Sequence, residues 1–348
     1  MEEFILKLEE LPILLNILSF TNNEIFRLHS YLIGTDLFKV ILEEEARIDL
    51  LLSKEVYQKK IENICELSEI IPSFEFIRSS LIGAGFWEME GWVEVKNQLE
   101  KIKNTNPLRG DRISLIGLDT NCFINRIYSH IRQIYKELVS RFGFLLSKII
   151  QAELKKMNKV TNEAIMTLRD KLGHLNEILN EFWNEDTLST RLKHVGLVEY
   201  NKLRAQSNYK INDGVLIDTR ERDLQIIEDF DNQIVKKNCD LVLLSSDKQF
   251  FEQARGPGIK SYFLKLPSFE QMPDRFSGTW EQVCDFLYLL SIYFGAISLR
   301  AKDIIQIFGI WKGKTEYHWD SESIKIRIGS LRLSKLLKQQ INIITLSK

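Results

Sequence analysis

Cysteine and histidine are scarce in this chain, with four Cys (65, 122, 239 and 284) and five His (29, 130, 174, 194 and 318) among 348 residues. No Cys-x-x-Cys pair occurs, and no two histidines stand in an HxH or HExxH pattern. A zinc ribbon and a disulfide framework are thereby excluded, and any bound metal would have to be held by carboxylates. Scattered thiols fit a reducing compartment, so the cytoplasm is the expected location. Long apolar runs are missing as well. The longest, Val283 to Leu299, is interrupted by Asp285 and Ser291 and reads as a buried helix, which leaves no expected membrane span. The opening Met-Glu-Glu lacks the basic and small-residue features of a secretory leader. A net charge of −1 hides an asymmetry: residues 1–110 hold 12 Lys and Arg against 19 Asp and Glu, and the remainder 35 against 29. The basic remainder is either a solvated surface or a phosphate-contacting face.

The length favours two domains with an appendage. Residues 1–105 are expected to form an all-helical domain, because "EIFRLHSYLIGTDLFKVILEEEARIDLLL" and its neighbours space apolar residues three and four apart. Its acidity suits recruitment of a protein partner or a homo-oligomer. The polar stretch "KIKNTNPLRGDR" (101–112) marks a boundary. Beyond it the pattern alternates strand and helix: "ISLIGLD", a helix, "FLLSKII", a polar helical insert over 158–212, a helix, "CDLVLLSSD", a short helix, and "IKSYFLKL". That order predicts an α/β domain with a parallel sheet over 113–267. Residues 275–348 are expected to add a buried helix and a small β element. Trp183, Trp280, Trp311 and Trp319 read as core or interface residues, and the histidines as packing or solvated groups.

Two apolar runs end on a carboxylate, Asp119 and Asp247, at the sheet edge where α/β proteins bind ligands. Glu153 stands where an apolar run turns helical, and Asp223 opens a helix. Asp218 and Asp229 compete with Asp223 but lack that helix-start context. Carboxylates side by side repel, so four of them call for a proton or a hard divalent cation, Mg²⁺ or Mn²⁺. Such a set suits phosphodiester hydrolysis by metal-activated water. The competing readings are ordinary ones: Asp119 as a helix cap and Glu153 as a surface partner of Lys156.

The segments "LIGLDTNCFI", "IIQAELKK", "RERDLQII" and "LVLLSSDKQFFEQA" together resemble the PIN-domain family of metal-dependent nucleases. The resemblance covers about residues 113–267. It implies a PIN-like three-layer fold, metal ligation by Asp119, Glu153, Asp223 and Asp247, and endonucleolytic cutting of mostly single-stranded RNA to leave 5′-phosphate and 3′-hydroxyl ends. It also implies a supporting amide at Asn121 and a Ser/Thr-type role for Ser246. The insert is longer than in compact members. Its Arg191, Lys193, Lys202, Arg204 and Lys210, beside Tyr200 and Tyr209, are candidate nucleic-acid contacts, with solvated lysines as the plainer reading. A haloacid-dehalogenase-like phosphatase is excluded because Asn121 stands where a second Asp is needed. A dinucleotide-binding fold is excluded because "LDTNCF" lacks the glycines. A catalytically weak scaffold that binds RNA or protein, and a structure-specific DNA nuclease, remain alternatives.

Overall fold

The computed structural model describes every residue except 23, 137–141, 183–185, 206–208, 213–221, 238, 257–258 and 348. Trp183 and Asp218 therefore lie outside the described residues. The chain divides into two compact units, one of residues 1–87, 158–191 and 272–348, the other of residues 88–157 and 192–271. Strands β1 (Glu2–Lys7), β2 (Ile25–Ser30), β3 (Thr35–Leu42) and β4 (Ala46–Leu50) belong to the first unit. The second holds β5 (Ser114–Leu118), β6 (Gly143–Ser147), β7 (Tyr209–Asn212), β8 (Asp240–Ser245) and β9 (Lys260–Phe263). The first unit resumes with β10 (Arg275–Gly278), β11 (Ala296–Arg300), β12 (Ile304–Phe308) and β13 (Ser323–Ile328).

The second unit is built on an all-parallel sheet in the order β7-β6-β5-β8-β9. Its central strands are buried nearly throughout, as a sheet covered on both faces requires. Helices Lys148–Lys155, Arg222–Lys237 and Lys248–Arg255 alternate with the strands, so the α/β expectation holds for this part of the chain. The short strand β7 falls inside the insert that was expected to be helical.

The first unit corrects the expectation of an all-helical 1–105 domain. Four strands from that segment and four from residues 275–328 interleave in one antiparallel sheet, in the order β1-β13-β12-β11-β2-β3-β4-β10. Nor are the two chain ends separate domains, since β1 pairs with β13 and β2 with β11. The physical reason is an ambiguity of period. Phe26 and Leu28, and Phe38 and Val40, are buried at two-residue spacing, yet with Leu32, Leu37, Ile41 and Leu42, also buried, the segment offers three- and four-residue intervals as well. Gly34, in the left-handed region at φ 68°, turns β2 into β3 where a helix would have continued.

One segment did follow expectation. Helix Trp280–Phe294 is buried without a break from Val283 to Phe294 and starts at a capping box of Thr279 and Gln282. Trp311 and Trp319 are buried and flank the Lys314 ammonium, which also donates to the Gly309 and Ser323 carbonyls at 2.7 and 2.9 Å. Trp280 instead donates Nε1 to the Glu43 carbonyl at 2.9 Å. Among the described residues, no helix is long and apolar enough to cross a membrane.

Gly295 ends the buried helix at φ 73°, and a Cβ there would fall 1.9 Å from the Phe182 ring. Strain and overlap act together at this turn, so Gly295→Ala is expected to destabilise the protein by about 2 kcal/mol or more. Urea unfolding checks this: an unchanged midpoint would mean that the turn is not built as described.

Candidate functional site

Strands β5 and β8 are parallel neighbours in the register Leu118↔Leu244, so the residues that follow them meet at one edge. Asp119 caps the helix Thr120–Ile124 and is only 4 % exposed. Its Oδ1 accepts from the Cys122 amide at 2.6 Å, and its Oδ2 from Ser245 Oγ (2.6 Å) and the amides of Ser246 (2.9 Å) and Asp247 (3.3 Å). A carboxylate has about four acceptor positions, two on each oxygen, so the spare capacity lies on Oδ1. Burial still holds the Asp119 carboxyl above its ordinary range, with the hydrogen bonds pulling the other way. Helix capping was the plainer reading of Asp119, and the geometry contains it.

The other three acids arrive at the same edge by different routes. Half-buried Asp247 caps the helix Lys248–Arg255, accepting on Oδ1 from the amides of Gln249 and Phe250 at 2.8 and 3.1 Å. Glu153, on the helix Lys148–Lys155, accepts from Thr120 Oγ1 at 2.6 Å, which ties that helix to the end of β5. Asp223 is half-buried in the first turn of Arg222–Lys237. Its carboxyl is raised, first by burial and then by the charges of Asp247, Glu153 and Asp119. Asp223 thus lies within electrostatic reach of the other three carboxylates.

Their chemistry suits a hard divalent cation, because every donor is an oxygen. Among the described residues, however, no group of three or more His, Cys, Asp or Glu side chains is disposed to hold a metal ion as it stands.

Other expected site residues divide sharply. Asn121 is exposed, and its side chain makes no hydrogen bond among the described residues, so the supporting amide is not engaged. Ser246 contributes its amide to Asp119, while its hydroxyl lies 3.7 Å from Cys122 Sγ. The hydroxyl that grips Asp119 belongs to Ser245. Sequence reasoning missed both Ser245 and Thr120; the only signals were a hydroxyl residue directly after Asp119 and a second one two positions before Asp247.

Arg191 is corrected as a nucleic-acid contact. It is 2 % exposed, donates to the carbonyls of Asp186 (3.3 Å) and Tyr293 (3.0 Å), and stacks on Phe182. Burial pushes its guanidinium down to about 10, with Asp186 opposing. Lys202 is committed to the fully buried Glu199 at 3.0 Å, which also binds Arg126 and Ser129. Burial alone would raise Glu199, but Lys202 and Arg126 bring it down to about 2. Lys193 donates to the Lys156 carbonyl at 2.8 Å, and Tyr200 is buried with its hydroxyl on Ser147 O. Arg204 is exposed at the end of its helix, and Lys210 lies on β7.

Comparison with protein-family models, with curated proteins and with solved structures returned no match.

These placements give the two acids opposite expected responses to substitution. Asp119→Asn removes acceptors from buried donors and should cost about 2–3 kcal/mol. Asp223→Asn should instead stabilise the metal-free protein at neutral pH. A carboxyl raised in the folded state favours folding below its unfolded value of about 3.8, and that benefit is lost as pH rises through the folded value. The gap in melting temperature between Asp223→Asn and wild type should therefore be positive near neutral pH and close on acidification. A loss of stability in Asp223→Asn at neutral pH would contradict this assignment.

Proposed function

We propose that the chain is a divalent-metal-dependent endoribonuclease, with its parallel-sheet unit arranged as a PIN-like domain. The observation that carries this reading is Asp223, whose half-buried carboxyl is raised first by burial and then by three neighbouring carboxylates. Carboxylates gathered at the carboxyl edge of a parallel sheet are where a cation and a phosphodiester would both be accommodated.

Bound Mg²⁺ or Mn²⁺ supplies Lewis acidity, lowering the pKa of water and offsetting charge on the phosphate. Glu153, Asp223 and Asp247 are the residues that would hold it, with Asp119 contributing through Oδ1. The chain's own part is positioning. Thr120 fixes the Glu153 carboxylate, and the amides of Gln249 and Phe250 engage Asp247 Oδ1, leaving Oδ2 as its second oxygen. Ser245 keeps the ends of β5 and β8 together beneath them. Single-stranded RNA is the proposed substrate and DNA the alternative, since metal-assisted hydrolysis does not by itself select the sugar.

A second reading has its own observation. Asp119 spends its carboxylate on four protein donors, and no described trio of ligands stands ready. Both facts suit a catalytically weak scaffold that binds RNA or a protein.

Cleavage of labelled single-stranded RNA and DNA separates the two. The informative variants are Asp223→Asn and Asp247→Asn, because Asp119→Asn also loosens the strand ends. Mg²⁺- or Mn²⁺-dependent cutting that drops about 100-fold in both variants is the expected result. Saturable RNA binding without any cutting would establish the scaffold reading instead.

A further inference from the structure

The antiparallel unit carries an arrangement of charge that its stability does not explain. One register row crosses five consecutive strands as Arg300 (β11), Arg27 (β2), Lys39 (β3), Asp49 (β4) and Arg275 (β10). Directly opposite residues share a sheet face, and like charges placed so are destabilising. Here three cations stand side by side. The adjoining row, Ser298–His29–Asp36, offers one carboxylate, and Asp36 is shared among His29 (2.9 Å), Arg27 (3.3 Å) and Arg300 (3.8 Å). Asp49 is likewise shared between Arg275 (3.0 Å) and Arg47 (3.5 Å). Five cations thus face two carboxylates, and Lys39 has no partner among the described residues. The side chains of Arg27 and Arg275 are 62 % and 64 % exposed, so the row is open to solvent. On the same face, Ser298 Oγ and Arg300 Nε are buried without a hydrogen bond.

The far end of the same sheet shows what a balanced arrangement looks like. There Lys325 and Arg327 are each paired with both Glu3 and Glu181. The unbalanced row is therefore a local feature of β11, β2, β3, β4 and β10.

We propose that this row binds the phosphodiester backbone of single-stranded nucleic acid. Guanidinium groups match phosphate in planar, paired hydrogen bonds, and three of the row's four cations are arginines. Across four inter-strand gaps the row runs about 19 Å, long enough to meet several phosphates in succession. Neither row carries Phe, Tyr or Trp, and their one ring, His29, is buried, so contact through phosphates and binding independent of sequence are expected. The inference shares with the proposed function the expectation of a nucleic-acid ligand, but it concerns a different unit and needs no metal.

The test is fluorescence anisotropy of the full chain with a labelled uridine homopolymer in EDTA, at rising KCl, comparing wild type, Lys39→Gln and Arg300→Gln. EDTA keeps metal-dependent cutting out of the measurement. Each substitution is expected to weaken binding and to reduce the salt slope by about 0.7. Lys39→Gln is also expected to leave the melting temperature unchanged or raise it, which a structural role would not produce. Thymidine homopolymer separates a deoxyribose from a ribose strand, and both should bind through the row. Unaltered affinity and slope in the two variants, or equal competition by polyglutamate, would overturn the proposal. Intact RNA binding through this row with no cleavage under Mg²⁺ would refute the nuclease reading alone.

Discussion

The carboxylate of Asp119 is the point on which the parallel unit's functional edge depends. It lies at the end of β5 yet gathers three donors from the chain leaving β8, so one side chain fastens the carboxyl ends of two adjacent strands. That fastening sets where Asp247 emerges as the next helix cap. It also fixes the first turn after β5, from which Thr120 reaches Glu153. A buried carboxylate is costly unless its acceptors are used, and protein donors use them here. The carboxyl at this edge that burial and its acidic neighbours raise is that of Asp223. Asp119 thus holds the acidic edge together, while Asp223 carries a carboxyl raised by burial and by its neighbours.

The same principle of matched and unmatched charge distinguishes the two ends of the antiparallel sheet. Where Glu181 and Glu3 meet Lys325 and Arg327, paired charges bring stability and leave nothing to bind. Where Arg300, Arg27 and Lys39 stand opposite one another, the fold accepts repulsion that a neutral substitution would remove. Violations of local rules of this kind concentrate where a protein meets a ligand. Arg191 illustrates the opposite case: a cation that looks available in the sequence is consumed by two carbonyls and an aromatic ring.

The parallel strands were legible because continuous apolar runs such as "SLIGL" and "LVLLS" have one physical explanation, burial on both faces. The buried helix Trp280–Phe294 was legible for the same reason. Strands β2 to β4 were not, because their apolar residues satisfy two periods at once and the deciding partners lie some 250 residues away in β10 and β11. Asp119, Asp247 and Asp223 stand at strand ends or in a first turn as their context suggested, whereas Glu153 lies in the last turn of its helix and not at its start. Ser245, Thr120 and the fate of Arg191 were not, since burial and hydrogen-bond direction leave no periodic trace. The cross-strand row of cations is a property of register, which no single segment encodes.

A divalent cation is proposed to answer the charge at Asp223. Titration of Mn²⁺ into the full chain, read by electron paramagnetic resonance, counts bound ions without requiring turnover. Saturable binding is expected near neutral pH, weakening as pH falls and the carboxylates are protonated, and lost in Asp223→Asn. Binding that is undiminished in Asp223→Asn, or no binding in wild type at any Mn²⁺ concentration the protein tolerates, would contradict it.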